Sequence, residues 1–238
     1  MRMMSAELFL EQKDDYRPII GALVVGHSPR PEIEAEFRQI AGETAHLVLR
    51  GALDGLSRSE IDSIQPQDES DVLFTRLTNG DGVRLSKKKV VYHGSKQLNQ
   101  LRAQGLSSVI VLCTGVFSEW ATLKDVLFPS QIVAAMVNGV LPNGRLGVFS
   151  PLIEQCAQSK LRWQERGYDV HSFALSPNAS DDEVIALGKS IHDQTLELLV
   201  LDCVSYTRHT KRILSAITGV PAILGVSAAF RVALELVE

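Results

Sequence analysis

The chain has 238 residues, with 24 Lys+Arg against 28 Asp+Glu, a formal charge of −4 at pH 7, and 45% hydrophobic residues. That composition suits one large or two small globular domains and offers no basic excess to neutralise a nucleic-acid backbone. Its longest apolar runs, such as residues 132–137 and 109–113, are far shorter than the roughly 20 residues that span a bilayer, so neither nucleic acid nor membrane is an expected partner.

Residues 1–16 carry no apolar stretch of signal-peptide length and read as a loose leader. Beyond them, short β-branched runs alternate with stretches of helical periodicity, the pattern of an α/β protein built on mostly parallel sheets. In chain order, a strand is expected at 19–25, a helix from 31 to about 40, and a strand at 45–49. The helix at 57–64 opens on Ser57-Arg58-Ser59-Glu60, a capping box in which hydroxyl and carboxylate satisfy first-turn amides.

A strand at 72–77 then meets the Gly-rich turn Asn79-Gly80-Asp81-Gly82, which predicts a β-hairpin with Arg76 and Arg84 facing each other as a flap. A helix at 86–103 ends before Gly105, and a strand follows at 109–112. The second half is expected to hold helix 129–137, strand 145–149, helix 153–166 closed by Gly167, strand 168–174, helix 181–195, strand 198–201, helix 207–217, strand 221–224 and helix 227–237. Eight strands suggest two sheets of about four. The polar break Leu141-Pro142-Asn143-Gly144 lies close to the midpoint of the chain.

In parallel sheets, ligands bind beyond the carboxyl ends of the strands, where helix N-termini present unpaired amides. Three strand exits stand out: Gly26-His27-Ser28-Pro29-Arg30, Cys113-Thr114-Gly115, and Asp202-Cys203-Val204-Ser205. Cys113 and Cys203 each close an apolar run, one in each half of the chain, which points to a pseudo-symmetric pair of functional thiols. Cys156, inside a helical run, reads as core filler. Three cysteines without CxxC spacing argue against a disulfide framework and a structural zinc site, and for a reducing cytoplasm. The six histidines show no HxH or HExxH spacing, and GxxxxGK[ST], GxGxxG and GxSxG are absent, so no metal, nucleotide or other cofactor is expected.

The stretches Ile20-Gly21, Val25 to Pro31, Leu112-Cys113-Thr114-Gly115, Gly147 to Gln155 and Leu201-Asp202-Cys203 resemble the AroM family, over nearly the whole chain after the leader. That family is similar in layout to the aspartate/glutamate/hydantoin racemase superfamily. The resemblance implies two α/β domains related by a pseudo-twofold, here residues 17–117 with the returning helix 225–238, and residues 118–224. It also implies an active site in the cleft with one catalytic thiol from each domain, Cys113 and Cys203. The contacts expected around the substrate are His27, Ser28, Arg30, Arg76, Thr114, Gly115, Ser150, Val204 and Ser205.

A thiol and a thiolate on opposite faces of a carbon acid suffice for cofactor-independent racemisation, provided amides or cations lower one thiol from its ordinary pKa of about 8.5. Where glutamate-type racemases carry Cys-Asn-Thr and Gly-Cys-Thr with a following His or Glu, this chain reads Cys113-Thr114-Gly115 and Asp202-Cys203-Val204-Ser205. The second threonine and the ionisable helper therefore have no counterpart. The function expected is a racemase or epimerase acting on a small carboxylate. A non-catalytic binder of a small anion and a one-thiol lyase or decarboxylase stay open as alternatives, as does a homodimer.

Overall fold

The computed structural model describes residues 16–237, so the expected leader, apart from Tyr16, lies outside the described residues. Its strands are β1 (Ile19–Val24), β2 (His46–Gly51), β3 (Val72–Arg76), β4 (Gly82–Ser86), β5 (Ser108–Leu112), β6 (Val126–Leu127), β7 (Arg145–Ser150), β8 (Asp169–Ala174), β9 (Leu198–Leu201) and β10 (Ala222–Leu224). They form two four-stranded parallel sheets, ordered β2-β1-β5-β6 and β8-β7-β9-β10, and the separate antiparallel hairpin β3-β4. Each large sheet thus runs second, first, third, fourth in order along its half of the chain.

Alternate residues of β1 and β5 face two different cores. Ile20, Ala22, Val24, Ile110 and Leu112 join one, while Leu23, Val109 and Val111 join the other. Burial on both faces is why these strands read as continuous apolar runs rather than as alternating ones.

The helices are α1 (Pro31–Ala41), α2 (Arg58–Asp62), α3 (Lys87–Arg102), α4 (Pro129–Val140), α5 (Ile153–Gln164), α6 (Asp181–Ile191), α7 (Arg208–Thr218) and α8 (Gly225–Glu235). The capping box at α2 forms as expected, with Ser57 accepting from the Glu60 N–H and the Glu60 carboxylate accepting from the Ser57 N–H. A second one, Ser180 with Glu183, opens α6. Gly105 takes φ +64°, the left-handed conformation that lets the chain turn from α3 into β5. From the end of the second sheet, α8 packs back on α1 and α4, and its fully buried Phe230 meets Phe37 edge-on at 5.1 Å. The last helix thereby ties the two halves through one core containing Ile20 and Ile110 from the first sheet and Phe149 and Leu199 from the second.

The strand assignments differ in one respect. The run at 72–77, counted toward a four-stranded sheet, stays in the hairpin, and the fourth strand of the first sheet is β6. Two residues are too few to show a period, which is why β6 was invisible in the sequence. Residues 126–127, expected in the second domain, therefore extend the first sheet.

The equivalence of the two sheets reaches single residues. Gly21 in β1 pairs with Val109 of β5, and Gly147 in β7 pairs with Leu199 of β9. A Cβ on Gly21 would lie 2.6 Å from Leu106, and one on Gly147 would lie 2.9 Å from Leu196. Leu106 precedes Cys113 and Leu196 precedes Cys203 by the same seven residues. Each first strand is thus kept bare at one point so that a leucine from the approach to the third strand can cross it, and each third strand then exits at a cysteine.

Candidate active site

The order of each sheet reverses direction between its first and third strands, and the crevice beyond that switch point is where open α/β sheets bind ligands. Cys113 directly follows β5 and Cys203 lies two residues beyond the end of β9, so both occupy that position. They line a single cavity of about 360 Å³, roofed on one side by Ser70, Leu73 and Phe74 around the hairpin and on the other by α5.

Among the nominated residues, Thr114, Gly115 and Ser150 line the cavity with the two cysteines, whereas His27, Ser28, Arg30, Val204 and Ser205 do not. Ser28 spends its N–H (2.8 Å) and its hydroxyl (2.5 Å) on the Asp54 carboxylate, which also accepts the Gly51 N–H at 2.7 Å. Arg30 is buried at 4% exposure; its Nε donates to Glu32 at 2.6 Å and one of its Nη atoms to the Ser205 hydroxyl at 3.2 Å. Arg30, expected at the substrate, is therefore committed to Glu32 beside it and to Ser205 from the other half of the chain. It acts on the site through Ser205, which hydrogen-bonds Cys203, and through its charge. His27 is half-buried, and its Nδ1 has no partner. Arg76 lies in β3, and its side chain is outside the described residues.

The site contains a cross-bridge that sequence reasoning did not single out. The Asp202 carboxylate, at the exit of β9, is buried and forms an ion pair with Arg162 of α5, with the Ser159 hydroxyl donating to the same oxygen at 3.3 Å. Arg162 also donates to the Thr114 carbonyl at 3.3 Å, and the Thr114 hydroxyl donates to the Asp202 carbonyl at 2.7 Å. The residue after Cys113 and the residue before Cys203 are thus bonded to each other directly and through one guanidinium. On α5, Gln155, Gln158, Ser159 and Arg162 line the cavity. Their spacing of three, one and three residues, a polar stripe along one face of a helix, is the signal that could have revealed them. Lys87, the first residue of α3, also lines the cavity, with its ammonium 5.4 Å from the Phe117 ring centroid.

Both cysteines are partly exposed. Burial of the sulfur nevertheless pushes the Cys113 thiol up to about 12, against a hydrogen bond from the Gly115 N–H (3.4 Å) and the charge of Lys87. Cys203 lies close enough that its charge raises Cys113 further. Burial also raises Cys203, opposed by hydrogen bonds from the backbone and hydroxyl of Ser205 and by the charge of Arg30. The amides expected to stabilise a thiolate are in place, but desolvation outweighs them. Among the described residues no three His, Cys, Asp or Glu side chains gather as metal ligands.

Two parallel sheets of one strand order, each contributing a thiol to one cavity, form an α/β fold shared with solved structures named as racemases, isomerases and a decarboxylase. Solved structures of this fold include arylmalonate decarboxylase, at 14% identity, TM-score 0.61 and 92% coverage of both chains. Allantoin racemase from Klebsiella pneumoniae matches at 17% identity and TM-score 0.61, over 92% of this chain and 87% of that one. The maleate isomerase Iso from Pseudomonas putida S16 matches at 11% identity and TM-score 0.61, over 92% of both chains. The chain belongs to the AroM family, whose description, AroM protein, matches residues 20–237. No curated protein matches it in sequence. Among the described residues no helix is long and apolar enough to cross a membrane.

Proposed function

We propose that this protein is a cofactor-independent isomerase, of the racemase or epimerase type, that moves a proton at a carbon beside a carboxylate between Cys113 and Cys203. The supporting observation is the equivalence of the two thiols, which follow the third strand of two like-ordered sheets and line one cavity. Proteins of this fold that are named as racemases and isomerases lend the reading further weight.

The electrostatics divide the roles. Burial raises Cys113 to about 12, which holds it protonated at neutral pH and makes it the proton donor. Burial raises Cys203 as well, but the Ser205 hydrogen bonds and the Arg30 charge oppose that rise, and on this ground we assign it as the first base. The base takes the α-proton from one face, the charge passes into the carboxylate as an enediolate, and Cys113 returns a proton to the other face. Charging both sulfurs together is opposed by their mutual repulsion, which keeps at least one of them protonated.

The strong desolvation of Cys113 also favours a second reading. A lyase or decarboxylase needs a neutral thiol only to protonate the carbanion left by bond cleavage.

Incubation in D₂O with chiral 2-hydroxy acids, N-carbamoyl amino acids and free amino acids, followed by NMR, separates these readings. The isomerase reading expects α-deuteration with loss of optical purity, abolished by both Cys113→Ala and Cys203→Ala. Release of carbon dioxide requiring one cysteine selects the second reading. Exchange that survives both substitutions overturns the assignment of the thiols.

A further inference from the structure

We infer that this cavity accepts a singly charged acid whose carboxylate pairs with Lys87, and that Asp202 sets this preference by occupying the Arg162 guanidinium. The inference rests on the cavity named above as the catalytic one and adds the class of molecule that enters it.

Its charged lining consists of two cations, Lys87 and Arg162, and two anions, Glu165 and Asp202. The four are not equivalent. Asp202 is buried at 7% exposure, and its carboxylate is bonded to Arg162 and Ser159, so one cation is neutralised where it stands. Arg162 is further tied down by the Thr114 carbonyl. Glu165 is exposed. Lys87 differs from Arg162 in that, among the described residues, no carboxylate forms an ion pair with it; its recorded neighbour is the Phe117 ring. An entering ligand therefore meets one ammonium available as a counter-ion and a second cation already paired.

A dicarboxylate would have to leave one charge against hydroxyls and amides such as Ser150, Gln155 and Gln158, close to the buried Asp202. Desolvating a charge without a counter-ion is unfavourable, whereas the same hydroxyls and amides suit a neutral polar substituent. The ligand class that fits is a monocarboxylate bearing a hydroxyl, amide or ureido group.

Calorimetric titration of the full chain at pH 7.5 tests this with lactate, mandelate and N-carbamoylalanine as monoanions and succinate, maleate and glutarate as dianions. The monoanion series should contain the tighter ligands. Lys87→Met, a substitution at a half-exposed helix start, should weaken them by about tenfold or more, the loss of one desolvated charge pair. Asp202→Asn should release Arg162 and tighten the dianions by about tenfold, and the double variant Asp202→Asn, Arg162→Met should lose that gain. Preference for dianions in the parent protein, undiminished monoanion binding in Lys87→Met, or no binding by either series overturns the inference. None of these outcomes measures proton exchange. Binding as expected without exchange in D₂O removes the isomerase reading and leaves this one standing.

Discussion

The Thr114 hydroxyl donates to the Asp202 carbonyl at 2.7 Å, across 88 positions of sequence and between the exits of two different sheets. This bond joins the residues flanking Cys113 and Cys203, so the separation of the sulfurs is set by a contact between the lobes rather than by either sheet alone. Replacing Thr114 with Val removes the donor while keeping the shape. The substitution is expected to cost about 1–3 kcal/mol in urea unfolding, the usual cost of a buried group losing its partner. It should also lower the D₂O exchange rate by more than it changes ligand affinity, because misplaced proton-transfer groups lose rate before binding. Thr114→Ser, which keeps the hydroxyl, should restore most of both.

The hairpin β3-β4 contributes Leu73 and Phe74 to the cavity and is fastened to the opposite wall by Arg84, whose Nη1 meets Glu154 of α5 at 2.6 Å. The two arginines do not face each other as expected, because the register pairs Arg84 with Phe74 and Arg76 with Gly82, and Arg84 instead ties the hairpin to α5. The pair is largely exposed, so Glu154→Gln should change global stability by only about 0.2–1 kcal/mol. Its signature is local: faster hydrogen exchange at the amides of β4 and a faster ligand off-rate, with the parent protein approaching the variant as salt screens the pair.

Much of this arrangement was legible because parallel strands buried on both faces leave apolar runs, and because such runs must end where the chain returns to solvent. Cys113 and Cys203 mark two such ends. The contacts were not legible for the same reason that they matter, since each depends on a partner brought up by the topology. Ser28 looked available for a ligand until the pairing of β1 with β2 placed Asp54 beside it. Arg30 looked like a substrate contact until the fold brought it to Ser205, 175 positions away. Arg162 was hidden inside a helix whose inward polar stripe is meaningful only once the wall it faces is known.

Glu36 of α1 illustrates the structural use of a buried charge. Its carboxylate accepts from Arg208 Nε of α7 at 2.8 Å and from the Ser227 hydroxyl of α8, so one side chain fastens the three helices that connect the two halves. Glu36→Ala leaves the Arg208 guanidinium uncompensated and is expected to destabilise the protein by about 3 kcal/mol in urea unfolding. Glu36→Gln, which keeps an acceptor oxygen for both donors, should cost less than half of that. Equal losses for the two would mean that charge, not hydrogen bonding, holds the junction.

The thiol of Cys113 gives a pH signature with a definite sign. Burial raises it from an ordinary 9.0 to about 12, so between those values the folded chain holds a proton that the unfolded chain has released. Stability then falls as pH rises, because fewer protons are bound in the unfolded state than in the native one. The contribution is complete below about pH 9 and is lost progressively toward pH 12. Urea unfolding of parent and Cys113→Ala from pH 7 to 11 should therefore give curves that run parallel below pH 9 and converge or cross above it, with the parent falling more steeply. Alkylation by iodoacetamide provides the kinetic counterpart. Cys113 should react slowly at pH 7, and its rate should continue to climb beyond pH 9, where an ordinary thiol levels off. A plateau near pH 9 would mean that Lys87 and the Gly115 amide offset the effect of burial, and the assignment of Cys113 as the proton donor would fall.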